Sequence, residues 1–195
     1  HILLPMTGLH NVENSIAALL LAKLAGISLE TGARAISSFK GIAKRQELKG
    51  TVRGISVMDD FAHHPTAVAT TLQGLKQSMD SGRLFAGFHF ASNTSRKNIF
   101  EKEYIEALAN ADAVFLSTPL QKDDGLSPEE SMSPERVSQG LAAVGVPCSF
   151  YSDIDEMALE LARRLRRGDL FVGMSNRDFL GLHGKLLELL SKEQG

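Results

Sequence analysis

The sequence predicts an α/β protein: a doubly wound, mostly parallel sheet preceded by a pair of helices. Three observations carry this expectation. From about Leu48 onward, short β-prone runs alternate with helix-length amphipathic segments, which is the pattern of right-handed βαβ units under a sheet covered on both faces. The first forty or so residues hold helical patterns and no strand run of their own. Hydrophobic residues make up 43% of the 195 positions, enough for a packed core and too many for a disordered chain.

The elements follow in order. Asn11 to Ala25 is rich in Ala and Leu, with Ile16, Leu19, Leu20, Ala22 and Leu24 on a broad face, and Gly26 stops that helix. Ser28 or Thr31 caps a second helix through Ala33, Ile36 and Phe39, ended by Gly41. Two helices without a sheet read as the tail of a domain whose body lies upstream. The expected strands are residues 51–58, 84–88, 113–116, 148–151 and 170–174. The expected helices between and after them are residues 66–79, 98–109, 134–143, 154–166 and 179–190. The longest loop, residues 119–133, is acidic and proline-bearing and is expected to be mobile and exposed. The sequence divides at about residue 46: residues 1–46 form the helical tail and linker, and residues 47–195 the sheet domain.

Charge and composition exclude several classes. Lys+Arg 21 against Asp+Glu 23 gives a net charge of −2, so no global field draws in a nucleic acid. The arginines that end the segment 153–167 favour the helix dipole and need no polyanion. Cys148 is the only cysteine, so an intrachain disulfide is impossible and a reducing compartment is expected. No apolar run approaches the roughly 20 residues that span a bilayer. No basic-then-apolar leader opens the chain, so a cytoplasmic location is expected. The first residue is His1, and the chain is expected to be part of a longer protein.

In a doubly wound sheet the ligand site lies beyond the carboxyl ends of the strands. Asp59-Asp60-Phe61-Ala62-His63-His64-Pro65 follows the first run. A carboxylate there can accept both hydroxyls of a ribose, and an imidazole can reach phosphate or carry a proton. Alternatively, an aspartate caps the turn and the histidines face solvent. His10-Asn11-Val12-Glu13-Asn14 stands at a helix start. Asn11 and Asn14 share a face, and their carboxamides match an adenine edge; otherwise Asn11 is an N-cap and Asn14 a surface residue. Arg45, in Lys44-Arg45-Gln46-Glu47, either binds phosphate bidentately or lies in an ordinary linker. Ser92-Asn93-Thr94-Ser95-Arg96-Lys97 offers hydroxyls and cations to an anion or caps a solvated helix. Ser175-Asn176-Arg177-Asp178 follows the last run, with His183 one turn on. No G-x-x-x-x-G-K-[ST], no G-x-G-x-x-G after a strand and no G-x-S-x-G is present. Adjacent His63 and His64 are poorly spaced for one metal ion, so no metal ligands are assigned in this chain.

Together these segments resemble the Mur ligase family. Gly8-Leu9-His10-Asn11-Val12-Glu13-Asn14 with its Ala-rich helix resembles the exit of that family's central ATP-binding domain. Gly41-Ile42-Ala43-Lys44-Arg45-Gln46-Glu47 resembles its interdomain linker, and Asp59-Asp60-Phe61-Ala62-His63-His64-Pro65-Thr66 the first strand-end motif of its Rossmann-like carboxy-terminal domain. Ser92-Asn93-Thr94 and Met174-Ser175-Asn176, with Phe179, Gly181, His183, Lys185, Leu186 and Leu187, resemble the member that joins a recycled murein tripeptide to UDP-N-acetylmuramate. Arg177-Asp178 depart from it, standing where small glycines are expected.

The resemblance implies an ATP-dependent amide-bond ligase of peptidoglycan recycling. The muramate carboxylate becomes an acyl phosphate, which the peptide amine attacks. A mobile carboxy-terminal domain closes to exclude water. The resemblance implies that Asn11 and Asn14 contact adenine, Arg45 a phosphate and Asp60 the ribose, with His10 near the nucleotide and His63 near the phosphates as the catalytic candidate. Ser92, Asn93, Thr94, Arg96, Ser175, Asn176 and Arg177 would read L-Ala-γ-D-Glu-meso-diaminopimelate. The phosphate loop and the Mg²⁺ ligands are expected upstream, so this chain alone is expected to be inactive. The implied partners are these substrates and the central and amino-terminal domains. The alternatives are the alanine-adding ligase of the same family and a nucleotide-binding module without chemistry. A phospho-receiver domain fits poorly, because His89 and Ser175 follow the strands that would carry its lone Asp and its Lys.

Overall fold

The fold is a computed structural model that describes residues 2–4, 6–123 and 125–192. It opens with α1 (Leu9–Leu24) and α2 (Leu29–Ser37), packed against each other. A Cβ added at Gly32 of α2 would stand 2.8 Å from Leu19, so the helices meet at a glycine. Gly8, not Asn11, caps α1. The Ser28 hydroxyl accepts the Thr31 N–H and starts α2. The N-terminal segment crosses α3 (Pro65–Ser78), where a Cβ at Gly74 would meet the Gly8 Cα at 3.0 Å.

The sheet has six strands: β1 (Glu47–Val52), β2 (Ile55–Asp60), β3 (Leu84–Phe88), β4 (Ala113–Ser117), β5 (Cys148–Tyr151) and β6 (Leu170–Met174), in the order β1-β2-β6-β3-β4-β5. All neighbouring strands are parallel except the edge pair β1–β2. The remaining helices are α4 (Glu101–Leu108), α5 (Pro134–Ala143), α6 (Ile154–Arg164) and α7 (Leu182–Lys192). Val68, Leu72, Tyr104, Leu108, Val137 and Leu141 from α3, α4 and α5 fill the core on one face. Met157, Leu161, Leu182, Leu186 and Leu190 from α6 and α7 fill the other. The fold is thus doubly wound, as predicted.

Four expectations change. The single run 51–58 is a hairpin, because Arg53 (φ 56°) and Gly54 (φ 75°) both take left-handed conformations; this tight turn folds β1 antiparallel onto β2. The segment from Asn98 begins as a 3₁₀ turn, and the α-helix starts at Glu101. The last helix starts at Leu182 rather than at Phe179, because Leu180 (φ 53°) and Gly181 (φ 75°) cannot belong to a right-handed helix. The described residues of loop 119–133 are exposed or half-buried, apart from Met132, but the loop is anchored. Met132 is buried in the core, its N–H donates to the Arg96 carbonyl, and Leu120 N–H donates to the Phe90 carbonyl.

Candidate functional site

The carboxyl ends of β2, β6, β3 and β4 stand in register, Asp60 beside Met174, Met174 beside Phe88 and Phe88 beside Leu116. A cavity of about 760 Å³ opens between the β2 end, the linker and the pair α1–α2. That is within the size of small-ligand sites. His10, Asn11, Asn14, Arg45 and Asp60 all line it. Leu4, Met6, Ala18, Ile36, Phe39 and Ile42 supply apolar walls.

Alternation along a strand sends successive side chains to opposite faces. Asp60 lines the cavity, while Asp59 lies 3.8 Å from His183 Nε2 on α7. Asp60 is 3% exposed. Its Oδ1 accepts the Ala62 N–H at 2.7 Å and its Oδ2 accepts the Gln46 N–H at 2.8 Å. Burial pushes its carboxyl above the usual carboxylate value, against the pull of those two N–H groups and of the Arg45 charge. Each carboxylate oxygen keeps a second lone pair for a further donor.

Asn11 is buried and donates Nδ2 to the Thr7 carbonyl at 2.7 Å, which leaves its Oδ1 without a partner among the described residues. Asn14 is exposed at the rim. His10 Nδ1 is buried without a hydrogen bond. The Arg45 guanidinium sits over the Phe61 ring, 5.2 Å from its centroid, and Phe61 meets His63 edge-on at 5.2 Å. His63 is therefore at the same strand end but outside the cavity lining. Its Nδ1 is 3.0 Å from the Phe61 carbonyl, and its own carbonyl accepts the Tyr104 hydroxyl at 2.5 Å. A carbonyl only accepts, so Nδ1 carries the proton and Nε2 of the neutral ring is an acceptor. His64 is exposed at the N-terminus of α3.

The second group of candidates lies further along the sheet. The Ser92 hydroxyl donates to Ser95 Oγ and accepts the Ser95 N–H, so it is spent on its own turn. Asn93 accepts from Lys122 Nζ, and Thr94 is half-buried. Arg96 is buried. Ser175 is fully buried against His89, Asn176 Oδ1 is buried without a partner, and Arg177 is exposed. The structure brings His10, Asn11, Asn14, Arg45 and Asp60 around one cavity and keeps the remaining candidates outside its lining.

Sequence reasoning missed the residue that ties these parts together. Gln46, in left-handed backbone (φ 50°), binds Asp60 through its N–H. Its side-chain Oε1 accepts both the N–H and the hydroxyl of Thr7 at 3.0 Å, and its Nε2 donates to the Thr7 carbonyl at 3.3 Å. Lys44 (φ 58°) accepts the Phe61 N–H on its carbonyl and donates Nζ to the Arg177 carbonyl at 2.6 Å. A glutamine or lysine gives no sequence signal for such a conformation.

The cavity fits an adenine nucleotide by its donor set: apolar walls for a base, carboxamides for its edge, a carboxylate for hydroxyl groups, a guanidinium for phosphate and an orphaned imidazole nitrogen. No group of three or more His, Cys, Asp or Glu among the described residues stands close enough to hold a metal ion. No helix among them is long and apolar enough to cross a membrane.

The model of the Mur ligase glutamate ligase domain matches residues 44–177. UDP-N-acetylmuramate–L-alanyl-γ-D-glutamyl-meso-2,6-diaminoheptandioate ligase of Escherichia coli is 33% identical over 189 residues, which cover 96% of this chain and 39% of that protein. UDP-N-acetylmuramate–L-alanine ligase of Caldicellulosiruptor bescii is 30% identical over 196 residues, 99% of this chain and 41% of that protein. The crystal structure of a murein peptide ligase from Psychrobacter arcticus superposes with a TM-score of 0.71 at 33% identity, over 100% of this chain and 39% of that one. The chain spans about two-fifths of the length of the curated relatives it matches. A fold, a strand-end motif and a family domain that coincide over most of its length mean that the chain belongs to the Mur ligase family.

Proposed function

We propose that this chain is the closing part of an ATP-dependent ligase that joins L-Ala-γ-D-Glu-meso-diaminopimelate to UDP-N-acetylmuramate in cytoplasmic peptidoglycan recycling. The observation that carries the nucleotide half of this reading is the convergence of His10, Asn11, Asn14, Arg45 and Asp60 on one cavity. Residues 1–46 are read as the end of the central ATP-binding domain with its linker, and residues 47–195 as the carboxy-terminal domain. The apolar side chains on α1 support that reading: Ile16 is 52% and Leu24 86% exposed, as suits a helix whose partner domain is elsewhere in the protein.

ATP would supply the phosphoryl group that activates the muramate carboxylate. Asn11 and Asn14 would read the adenine edge, Asp60 would accept the ribose hydroxyls, and Arg45, steadied on Phe61, would meet a phosphate. His63 would need protonation at Nε2 before it could donate to a phosphate oxygen. The strap from Lys44 to Gln46 bonds the β2 end, the N-terminal segment and the loop after β6, and so would hold the two parts together around the nucleotide once the domain has closed. A phosphate loop and Mg²⁺ ligands are expected on the central domain.

The test is ADP release by the intact enzyme. Turnover should require both UDP-N-acetylmuramate and the tripeptide, and this chain alone should release no ADP. A second reading, addition of free L-alanine, is favoured by the 30% identity to the Caldicellulosiruptor bescii enzyme. Alanine used as efficiently as the tripeptide would establish it. No ADP release with either amine would leave a nucleotide-binding module without chemistry.

A further inference from the structure

The chain runs from β2 to β5 through α3, α4 and α5 on one face, returns through α6 on the other, and leaves β6 for α7 on that second face. β6 lies between β2 and β3. The loops after β3 and β6 therefore start side by side and diverge to opposite faces, which is the switch point where open α/β sheets take ligands. His89 and Ser175 are the first residues of those two loops.

His89 is 2% exposed and Ser175 fully buried. The His89 N–H donates to the Met174 carbonyl at 3.1 Å. Its ring stacks on Phe179, with centroids 5.3 Å apart and planes 18° apart, and its Nδ1 is 3.2 Å from Ser175 Oγ. Ser175 Oγ also accepts the Arg177 N–H at 3.1 Å. A hydroxyl has a single proton and, when buried, must give it to an acceptor. Among the described residues that acceptor is His89 Nδ1. The neutral ring then carries its own proton on Nε2, which has no partner among the described residues. Burial, with the charge of Arg177 second, holds the ring below the ordinary histidine value and so keeps it neutral.

Two more polar groups flank it. Asn176 Oδ1, after β6, and Ser117 Oγ, at the end of β4, are both buried without a hydrogen bond. The strand order β6-β3-β4 puts the three in a row. Neighbouring strands are about 4.8 Å apart, so the row spans about 10 Å, or about three residues of extended chain. Buried polar groups left unpaired cost free energy and call for a partner.

We propose that this row is the track for the incoming peptide, and that His89, oriented by Ser175, is a specificity-determining residue whose Nε2–H donates to a carboxylate or carbonyl oxygen of that peptide. The proposal rests on the ligase reading and adds His89 and Ser117 to it. Arg177, exposed at the rim, supplies the charge that the neutral imidazole lacks.

The test combines kinetics of the intact enzyme with spectroscopy of this chain. His89→Leu should raise the tripeptide KM by about tenfold or more and leave the ATP KM within about twofold. His89→Gln, which restores an N–H donor, should recover most of the loss. A long-range proton–nitrogen correlation spectrum of the wild-type chain should show His89 protonated at Nε2 and bare at Nδ1. Ser175→Ala should erase that preference. A proton on Nδ1, an unchanged tripeptide KM in His89→Leu, or ATP and tripeptide constants that rise together would overturn the proposal while the ligase reading stands. A wild-type enzyme that uses neither tripeptide nor alanine would overturn both. The spectrum needs no variant, so the claim stays testable where His89→Leu does not fold.

Discussion

Replacing Asp60 by Asn separates its role in folding from its proposed role toward a nucleotide. The carboxylate accepts backbone N–H groups from Ala62 and Gln46 on its two oxygens and is almost wholly buried. A carboxamide keeps the shape but turns one acceptor into a donor, so one of those N–H groups faces an NH₂ whichever way the amide lies. An orphaned buried donor costs about 1–3 kcal/mol, and relief of the buried charge offsets part of it. For binding, the proposed charge-assisted bonds to ribose hydroxyls would be worth about 1.5–3 kcal/mol, or about ten- to a hundredfold in Kd. Calorimetry of the intact enzyme with ADP and with 2′,3′-dideoxy-ADP tells the effects apart. Asp60→Asn should weaken ADP by that factor and leave the dideoxy nucleotide almost unchanged. The pH dependence gives a second check. The folded carboxyl titrates above its ordinary value, so ionising it costs stability as pH rises through the window from the unfolded to the folded pKa. Hydroxyl donors favour the ionised form, so ADP affinity should rise with pH through the folded pKa and level off above it, and Asp60→Asn should lose that slope. Equal losses for both nucleotides, or none, would refute the ribose contact and leave Asp60 as a turn-former.

Further predictions follow from the same contacts. Gln46→Ala removes three side-chain bonds to Thr7, so hydrogen exchange should speed up across α1 while β3, β4 and β6 keep their protection. Gly173→Ala sets a Cβ 2.3 Å from His183 Nε2 in the central strand β6; denaturant melts should show a loss of about 1–3 kcal/mol, much of it recovered in Gly173→Ala/His183→Ala. Asp169 accepts N–H groups from Arg83 and Arg166 and the Arg83 guanidinium. Burial pulls its pKa up, but those bonds prevail and hold it below the ordinary value. Its contribution is present above the unfolded pKa and is lost as pH falls through the folded one, so Asp169→Ala should cost about 1–3 kcal/mol at neutral pH and show a smaller loss of stability on acidification than the wild-type chain.

Much of the fold was legible because strand runs and helix patterns alternate. Leu84–Phe88, Cys148–Tyr151 and Leu170–Met174 are strands over the predicted residues, and Pro134–Ala143 is a helix over its predicted span. The β1–β2 hairpin was not, because Arg53-Gly54 lacks the Asn or Asp that usually marks a two-residue turn, and a continuous β-prone stretch hid the reversal. Asp59 and Asp60 were indistinguishable as types; strand alternation separates them only once the covering element on each face is known. The asparagines and Arg45 were legible as candidates through motif likeness, and the cavity that gathers them depends on how α1 and α2 pack against the sheet domain. Gln46 carried no signal, since its role comes from a left-handed backbone, and His89 was legible only by its place after a strand, since its partner lies 86 positions away.

The central claim is that the cavity between α1, α2 and the β2 end holds the adenine nucleotide. The direct measurement is a titration of this chain with ADP, followed through backbone and side-chain amide resonances. Shifts should cluster on the Asn11 and Asn14 carboxamides, on Arg45, and on the Gln46 and Ala62 amides that bond Asp60. Shifts confined to the groove between α3 and α4, which is lined by Ala69, Gln73, Glu103 and Ala107, or none at millimolar ADP, would contradict the account.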